Sequence, residues 1–154
     1  MKLTLVAMFL ATFMAAPEPK SPGTVVFVCE HGSAKSVVAA AHFNQIAAER
    51  GLPFRAIARG TTPEAAMAPA AVQGLLADGL KPGEPAPTKL KQSDLDTAVR
   101  VITFCDLPSD LKPATPVGRW EVPPVSADYA KSRDAILEQI EQLVRELQGS
   151  IPRR

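Results

Sequence analysis

The sequence has little cysteine, little histidine and almost no net charge. Its 154 residues include two Cys and two His, and 17 Lys and Arg offset 16 Asp and Glu to leave a formal charge of +1. No basic face points to nucleic acid, and no acidic run forms a tail. Cys29, His31 and Cys105 lack the spacing of a zinc site. Two cysteines suit either a reducing or an oxidising compartment, and in the latter they allow a single disulfide. There is no internal repeat, and no apolar run reaches the ~20 residues of a membrane-spanning helix. What remains is a chain with 46% apolar residues, enough for one compact domain with a core. Its fifteen prolines fall mostly between periodic segments, as connectors do.

The first sixteen residues stand apart. Lys2 precedes a short apolar run, residues 3–16, that ends in Ala15-Ala16 and meets the polar spacer Pro17-Glu-Pro-Lys-Ser-Pro22. One positive charge, an apolar stretch and small residues describe a secretory signal. Residues 1–22 are therefore expected to be a signal peptide or an N-terminal tether plus spacer, and residues 23–150 the folded domain. Export to the periplasm or the medium follows if the segment acts as a signal, and a cytoplasmic location if it does not. No stable membrane span beyond such a tether is expected.

Residues 24–29 are too uniformly apolar for a half-exposed strand and read as a central strand covered on both faces. Residues 35–50 read as a helix, with Ala39, Phe43, Ile46 and Ala47 at helical spacing and Gly51 as its stop. Residues 53–59 alternate as a strand. Thr62-Pro63 and Ala68-Pro69 open one or two helices, with Pro69 suited to a first turn. Residues 80–91 read as a proline- and lysine-rich loop, and Ser93-Asp94 as the cap of a short helix to Ala98. Residues 99–105 form a buried strand ending in Cys105, and residues 118–122 a last short strand. Residues 127–148 are the clearest helix, striped by Ile136, Ile140, Leu143, Val144 and Leu147. The order predicts an α/β fold: a single three-layer α/β/α domain on a four-stranded parallel sheet. Ligands gather at the carboxyl ends of such strands, where Cys29 and Cys105 both fall.

The chemistry sits in Cys29-Glu-His-Gly-Ser-Ala-Lys35-Ser36. The thiolate is the reactive form of cysteine, and helix N-termini favour it. Successive loop amides make a nest for a tetrahedral oxyanion. Gly32 gives the loop a residue free to take positive φ. Lys35 supplies a cation, and Ser36 a hydrogen bond to the sulfur. Cys29, Lys35 and Ser36 are thus the candidate catalytic residues. Glu30, His31, Gly32, Ser33 and Ala34 are the candidate substrate-binding loop. The competing reading is a buried core thiol beside an ordinary helix cap.

This stretch resembles the low-molecular-weight protein tyrosine phosphatases and the related thiol-dependent arsenate reductases, which carry Cys, five residues, Arg and Ser after the first strand. The similarity extends over most of residues 24–148. Arg59-Gly60-Thr61 stands at the end of the second strand, where the family has a small-residue turn. Val101-Ile-Thr-Phe-Cys105-Asp106 resembles the reductase branch, with its resolving cysteine after a late strand. Trp120 with Pro123-Pro124 resembles the loop that carries the family's acid. Three departures stand out. Lys35 replaces the arginine, a point charge for a planar fork. Val122-Pro-Pro-Val125 lacks the aspartate that acts as general acid, with only Glu121 and Asp128 on its flanks. Lys112 stands where the reductases have a further cysteine, so a relay of three thiols is closed.

The resemblance implies hydrolysis of phosphate monoesters, of the protein phosphotyrosine class, through a phosphocysteine on Cys29. The scheme requires no metal or cofactor, and its partner is a phosphorylated substrate or oxyanion. The first alternative is arsenate reduction, with Cys105 as redox partner of Cys29 and an outside thiol reductant. The second is a binding module that holds the oxyanion without turning it over. The third is a redox protein cycling the two thiols. Of the remaining residues, Glu30 is expected to turn its charge away from the anion, and His42 to be a surface or half-buried residue of the first helix. Trp120 either walls a pocket or covers the core. Asp106 is a candidate acid.

Overall fold

The computed structural model describes residues 23–151. The signal or tether assigned to residues 1–22 lies outside them. Eight elements follow in order: β1 (Gly23–Cys29), α1 (Lys35–Glu49), β2 (Phe54–Gly60), α2 (Pro69–Ala77), α3 (Gln92–Asp96), β3 (Ala98–Thr103), β4 (Val117–Arg119) and α4 (Tyr129–Gly149). The four strands pair in parallel in the order β2-β1-β3-β4. This is the expected α/β architecture.

β1 is central because every side chain from Val25 to Cys29 finds apolar cover. Val25, Phe27 and Cys29 face a core made with α1, α2 and α4. Val26 and Val28 face the other side, against Leu90, Leu95 and Val101. The two helical layers are unequal. One holds the three long helices, and the other is reduced to α3 and the loop leading into it. α4 closes the larger layer with the predicted stripe: Ile136, Ile140, Leu143, Val144 and Leu147 are all buried. It begins at Asp128, whose Oδ1 accepts from the Lys131 amide at 3.0 Å, so this carboxylate is a helix cap.

The chain leaves β1 to pair β2 on one side and returns to place β3 on the other. Such a reversal opens a crevice at the carboxyl end of the first strand. Cys29 is at that end.

Several expected boundaries move. No helix forms at Thr62-Pro63, because the amides of Thr61, Thr62 and Glu64 are used on carbonyls of residues 29–31. β3 stops at Thr103, two residues short of Cys105, and β4 ends before Trp120. α3 starts a residue earlier than Ser93, fixed by Asp94 Oδ2 accepting from the Lys91 amide at 2.9 Å.

Candidate active site

Cys29 ends β1 and is buried, 8% exposed as a residue. Its Sγ lies 3.0 Å from Oγ of Ser36, a fully buried residue in the first turn of α1. No side chain caps α1, so the free N–H groups of its first turn point toward the loop.

The loop is turned inside out by its surroundings. The carbonyls of Cys29, Glu30, His31 and Ser33 accept from the amides of Thr61, Thr62, Glu64 and Ala68 at 2.8 to 3.1 Å. The carbonyl of Ala34 accepts from Val38 at 2.9 Å. With the carbonyls held outward, the amides are left for the interior. Among the described residues, none of the amides of residues 30–35 donates to a protein acceptor. Six consecutive N–H groups after the thiol are thus left without internal partners, a composition suited to an anion nest.

Two glycines let the loop take this form. Gly32 has φ +62°, a conformation costly for residues with a β-carbon. A β-carbon there would also stand 2.9 Å from the Gly60 nitrogen, and one on Gly60 would stand 2.8 Å from the Gly32 nitrogen. The end of β2 and the turn of the loop therefore pack backbone to backbone.

Above the thiol is a cavity of about 390 Å³. Ser33, Ala34 and the half-buried Lys35 line it from the loop, with Glu30 and His31 exposed at its mouth. Lys35 forms no ion pair among the described residues. Gly32, expected in the binding loop, does not line the cavity but packs against Gly60. Cys105 and Phe104 form another wall, and Pro124, Val125 and Ser126 a third. Both thiols therefore border one cavity, as the topology suggested. Burial pushes the Cys105 thiol up, the Cys29 sulfur and the Glu30 carboxylate push the same way, and the Thr61 hydroxyl and Arg119 only partly oppose them.

The structure disposes of other candidates. Asp106 is turned to solvent, its side chain 98% exposed, and pairs with Arg119 at 2.6 Å. Glu121 pairs with the same guanidinium at 2.8 Å. Neither borders the cavity, so neither serves as an acid there. Glu30 is an exposed residue among those lining the cavity. It stays at the mouth, 3.9 Å from His31 Nε2. Trp120 covers the core, 5.4 Å from the Phe27 ring and 6.0 Å from Phe104 between centroids. His42 is neither surface nor half-buried: it is 5% exposed, beside Asp78 and Tyr129.

Sequence reasoning missed Glu64, Phe104 and Ser126. Glu64 borders the cavity and accepts from Ser33 Oγ at 2.8 Å, which holds the buried serine in the loop. No local pattern marks this contact, since the partners are 31 positions apart. Among the described residues no cluster of three His, Cys, Asp or Glu is placed to hold a metal.

A thiol at the end of β1, beside a loop whose amides have no protein acceptor, thus stands at the switch point of a parallel sheet. The sequence profile of the low-molecular-weight phosphotyrosine protein phosphatases matches residues 24–153, and the chain belongs to that family. Solved structures from both of its branches are similar. An arsenate reductase from Archaeoglobus fulgidus is 30% identical, with TM-score 0.61 over 82% of this chain and 99% of its own. A low-molecular-weight protein tyrosine phosphatase from Bacillus subtilis is 19% identical, with TM-score 0.71 over 82% and 98%. A thioredoxin-dependent arsenate reductase from Corynebacterium glutamicum is 21% identical, with TM-score 0.70. It shares 86% of this chain, which spans 65% of that longer protein. No curated protein sequence matches significantly.

Proposed function

We propose that the chain is a phosphatase that uses Cys29 as nucleophile against phosphate monoesters with good leaving groups. The observation that supports this most is the loop itself: carbonyls drawn outward, six amides free and a thiol bonded to Ser36 at 3.0 Å. The Cys29 thiolate attacks phosphorus in line and forms a phosphocysteine as the P–O bond to the leaving group breaks. The amides of residues 30–35 and the Lys35 ammonium hold the equatorial oxygens, and this hold tightens as charge builds on them. The Ser36 hydroxyl donates to the sulfur and eases its departure when water attacks the phosphocysteine. The cavity wall of Pro124, Val125 and Ser126 carries no carboxylic acid. A missing general acid costs ~10²–10⁴ in rate when the leaving group needs a proton. Activated aryl esters escape that cost.

The test is hydrolysis of nitrophenyl phosphate beside phosphotyrosine, by the protein and by Cys29→Ser. Turnover of the activated ester is expected to exceed that of phosphotyrosine, and the variant to lose turnover while still binding phosphate. Activity that survives Cys29→Ser overturns the assignment.

A second reading rests on Cys105, which borders the same cavity. Arsenate would esterify Cys29 with loss of water. The Cys105 thiolate would then attack Cys29 Sγ, closing a disulfide as arsenic takes two electrons and leaves as arsenite. An external dithiol would reset the pair. The raised Cys105 thiol and the lysine at position 112 weigh against this reading. Export belongs to the same proposal, supported by residues 1–16 alone and tested by cell fractionation.

A further inference from the structure

We propose that the preferred substrate carries its phosphoryl group on an imidazole nitrogen, the phosphohistidine class. This rests on the phosphatase reading above and adds the leaving group. The argument starts from what the cavity lacks. No acid stands on the Pro124–Ser126 wall, Glu30 and His31 lie exposed at the mouth, and Glu64 accepts from the Ser33 hydroxyl at 2.8 Å, so the leaving atom departs without receiving a proton. Phosphorylated side chains then sort by the basicity of the group they release, highest for guanidine, then about 10 for phenol, about 6.5 for imidazole and about 4 for carboxylate. Guanidine and phenol leave badly without an acid. Imidazole and carboxylate leave well.

Charge at the mouth chooses between these two. The carboxylates bordering the cavity are Glu30 and Glu64, both exposed, and Lys35 is its one permanent cation among the described residues. The amide cradle and Lys35 take up the phosphoryl charge, leaving two carboxylates to face the rest of the substrate. An acyl phosphate would release a carboxylate toward them, which is repulsive. A phosphoimidazole protonated on its second nitrogen presents a cation instead, which is attractive. Phe104, set edge-on to Trp120, adds an aromatic wall suited to a flat cationic ring.

The charges balance. The Cys29 thiolate attacks phosphorus of the ring-protonated phosphoimidazole, the S–P bond forms and the P–N bond breaks. Its electron pair returns to nitrogen, so neutral imidazole leaves and the phosphocysteine carries two negative charges. Water then attacks phosphorus, the S–P bond breaks, and thiolate and dihydrogen phosphate are the products.

The experiment compares kcat/KM for phosphohistidine, acetyl phosphate, phosphotyrosine and nitrophenyl phosphate, each over a Cys29→Ser background that corrects for spontaneous P–N cleavage. Phosphohistidine is expected to exceed phosphotyrosine by at least tenfold and to exceed acetyl phosphate. The Glu30→Gln/Glu64→Gln double variant is expected to lower the phosphohistidine-to-acetyl-phosphate ratio, about fivefold for each carboxylate lost. Independently of any variant, that ratio in the unaltered protein is expected to fall as pH rises through the imidazolium range near 6.5. If nitrophenyl phosphate is turned over but phosphotyrosine or acetyl phosphate matches phosphohistidine, or the ratio ignores both pH and the two glutamates, this inference falls and the phosphatase reading stands. If no substrate is turned over, both fall.

Discussion

Lys35 is the residue whose chemistry differs most from the pattern this loop otherwise follows. An arginine at this position would grip two anion oxygens with a planar fork, whereas lysine offers one mobile charge. Lys35→Arg is therefore expected to tighten inorganic phosphate by about tenfold, the effect of one added charge-assisted hydrogen bond. Competition against nitrophenyl phosphate measures it, and an unchanged inhibition constant would mean the side chain does not reach the anion. At this scale the sequence was partly legible. Cys29, Gly32, Lys35 and Ser36 fall within eight consecutive positions, so a single motif exposes them. Glu64 and Ser126 stay hidden because the turns that bring them to the cavity are long-range. Asp106 misled because adjacency to Cys105 in sequence says nothing of direction, and its partner Arg119 draws it outward.

Three helices meet at a partly buried polar knot away from the active site. His42 of α1 lies 3.4 Å from Asp78 at the end of α2. Asp78 also accepts from the Tyr129 hydroxyl at 2.7 Å and from Arg133 at 3.0 Å, both on α4. Gly74 of α2 leaves room for the Tyr129 ring, which a β-carbon there would strike. Burial, aided by Arg133, lowers the His42 pKa although Asp78 pulls the other way. Burial opposes ionisation of Asp78, but Tyr129, Arg133 and His42 together hold its carboxyl below the usual range. The sign for His42 follows from which state binds the proton. Above about pH 6.5 the ring is neutral in both states, and below it the unfolded chain takes a proton that the folded protein resists. Stability is thus fully present above that value and is lost as pH falls toward the folded pKa. Asp78 adds a separate loss at still lower pH. Thermal unfolding between about pH 7 and 5 should show a falling Tm, with a shallower slope in His42→Gln. An equal slope in both proteins would place the titrating group elsewhere. The elements themselves were legible where periodicity was long, as in α4. They were misread where backbone groups serve tertiary partners, as at Thr62-Pro63.

For the molecule as a whole, the active loop is a joint between β1, α1 and the chain that follows β2. An anion that binds only the folded form stabilises all of them together. Phosphate at a hundred times its dissociation constant is expected to add about 2.7 kcal/mol to unfolding. Calorimetry with and without phosphate measures it, and Lys35→Ala should show a smaller gain at the same concentration. A Tm indifferent to phosphate in both proteins would count against an anion site. The parallel sheet was legible from alternating strand and helix signals, because a buried parallel strand leaves a continuous apolar run. The unequal helical layers were not, since they depend on how residues 80–96 fold back over Val26 and Val28.

The cradle has one more consequence. On the proposed reading its hold on an anion comes mainly from main-chain atoms, which mutation does not change, with Lys35 the one side chain that adds to it, while the side chains at positions 30, 31, 64 and 126 border the cavity without being part of that hold. Descendants of this scaffold can change their diet at the rim by single substitutions and keep the same reactive floor, provided the paired glycines at 32 and 60 are left untouched.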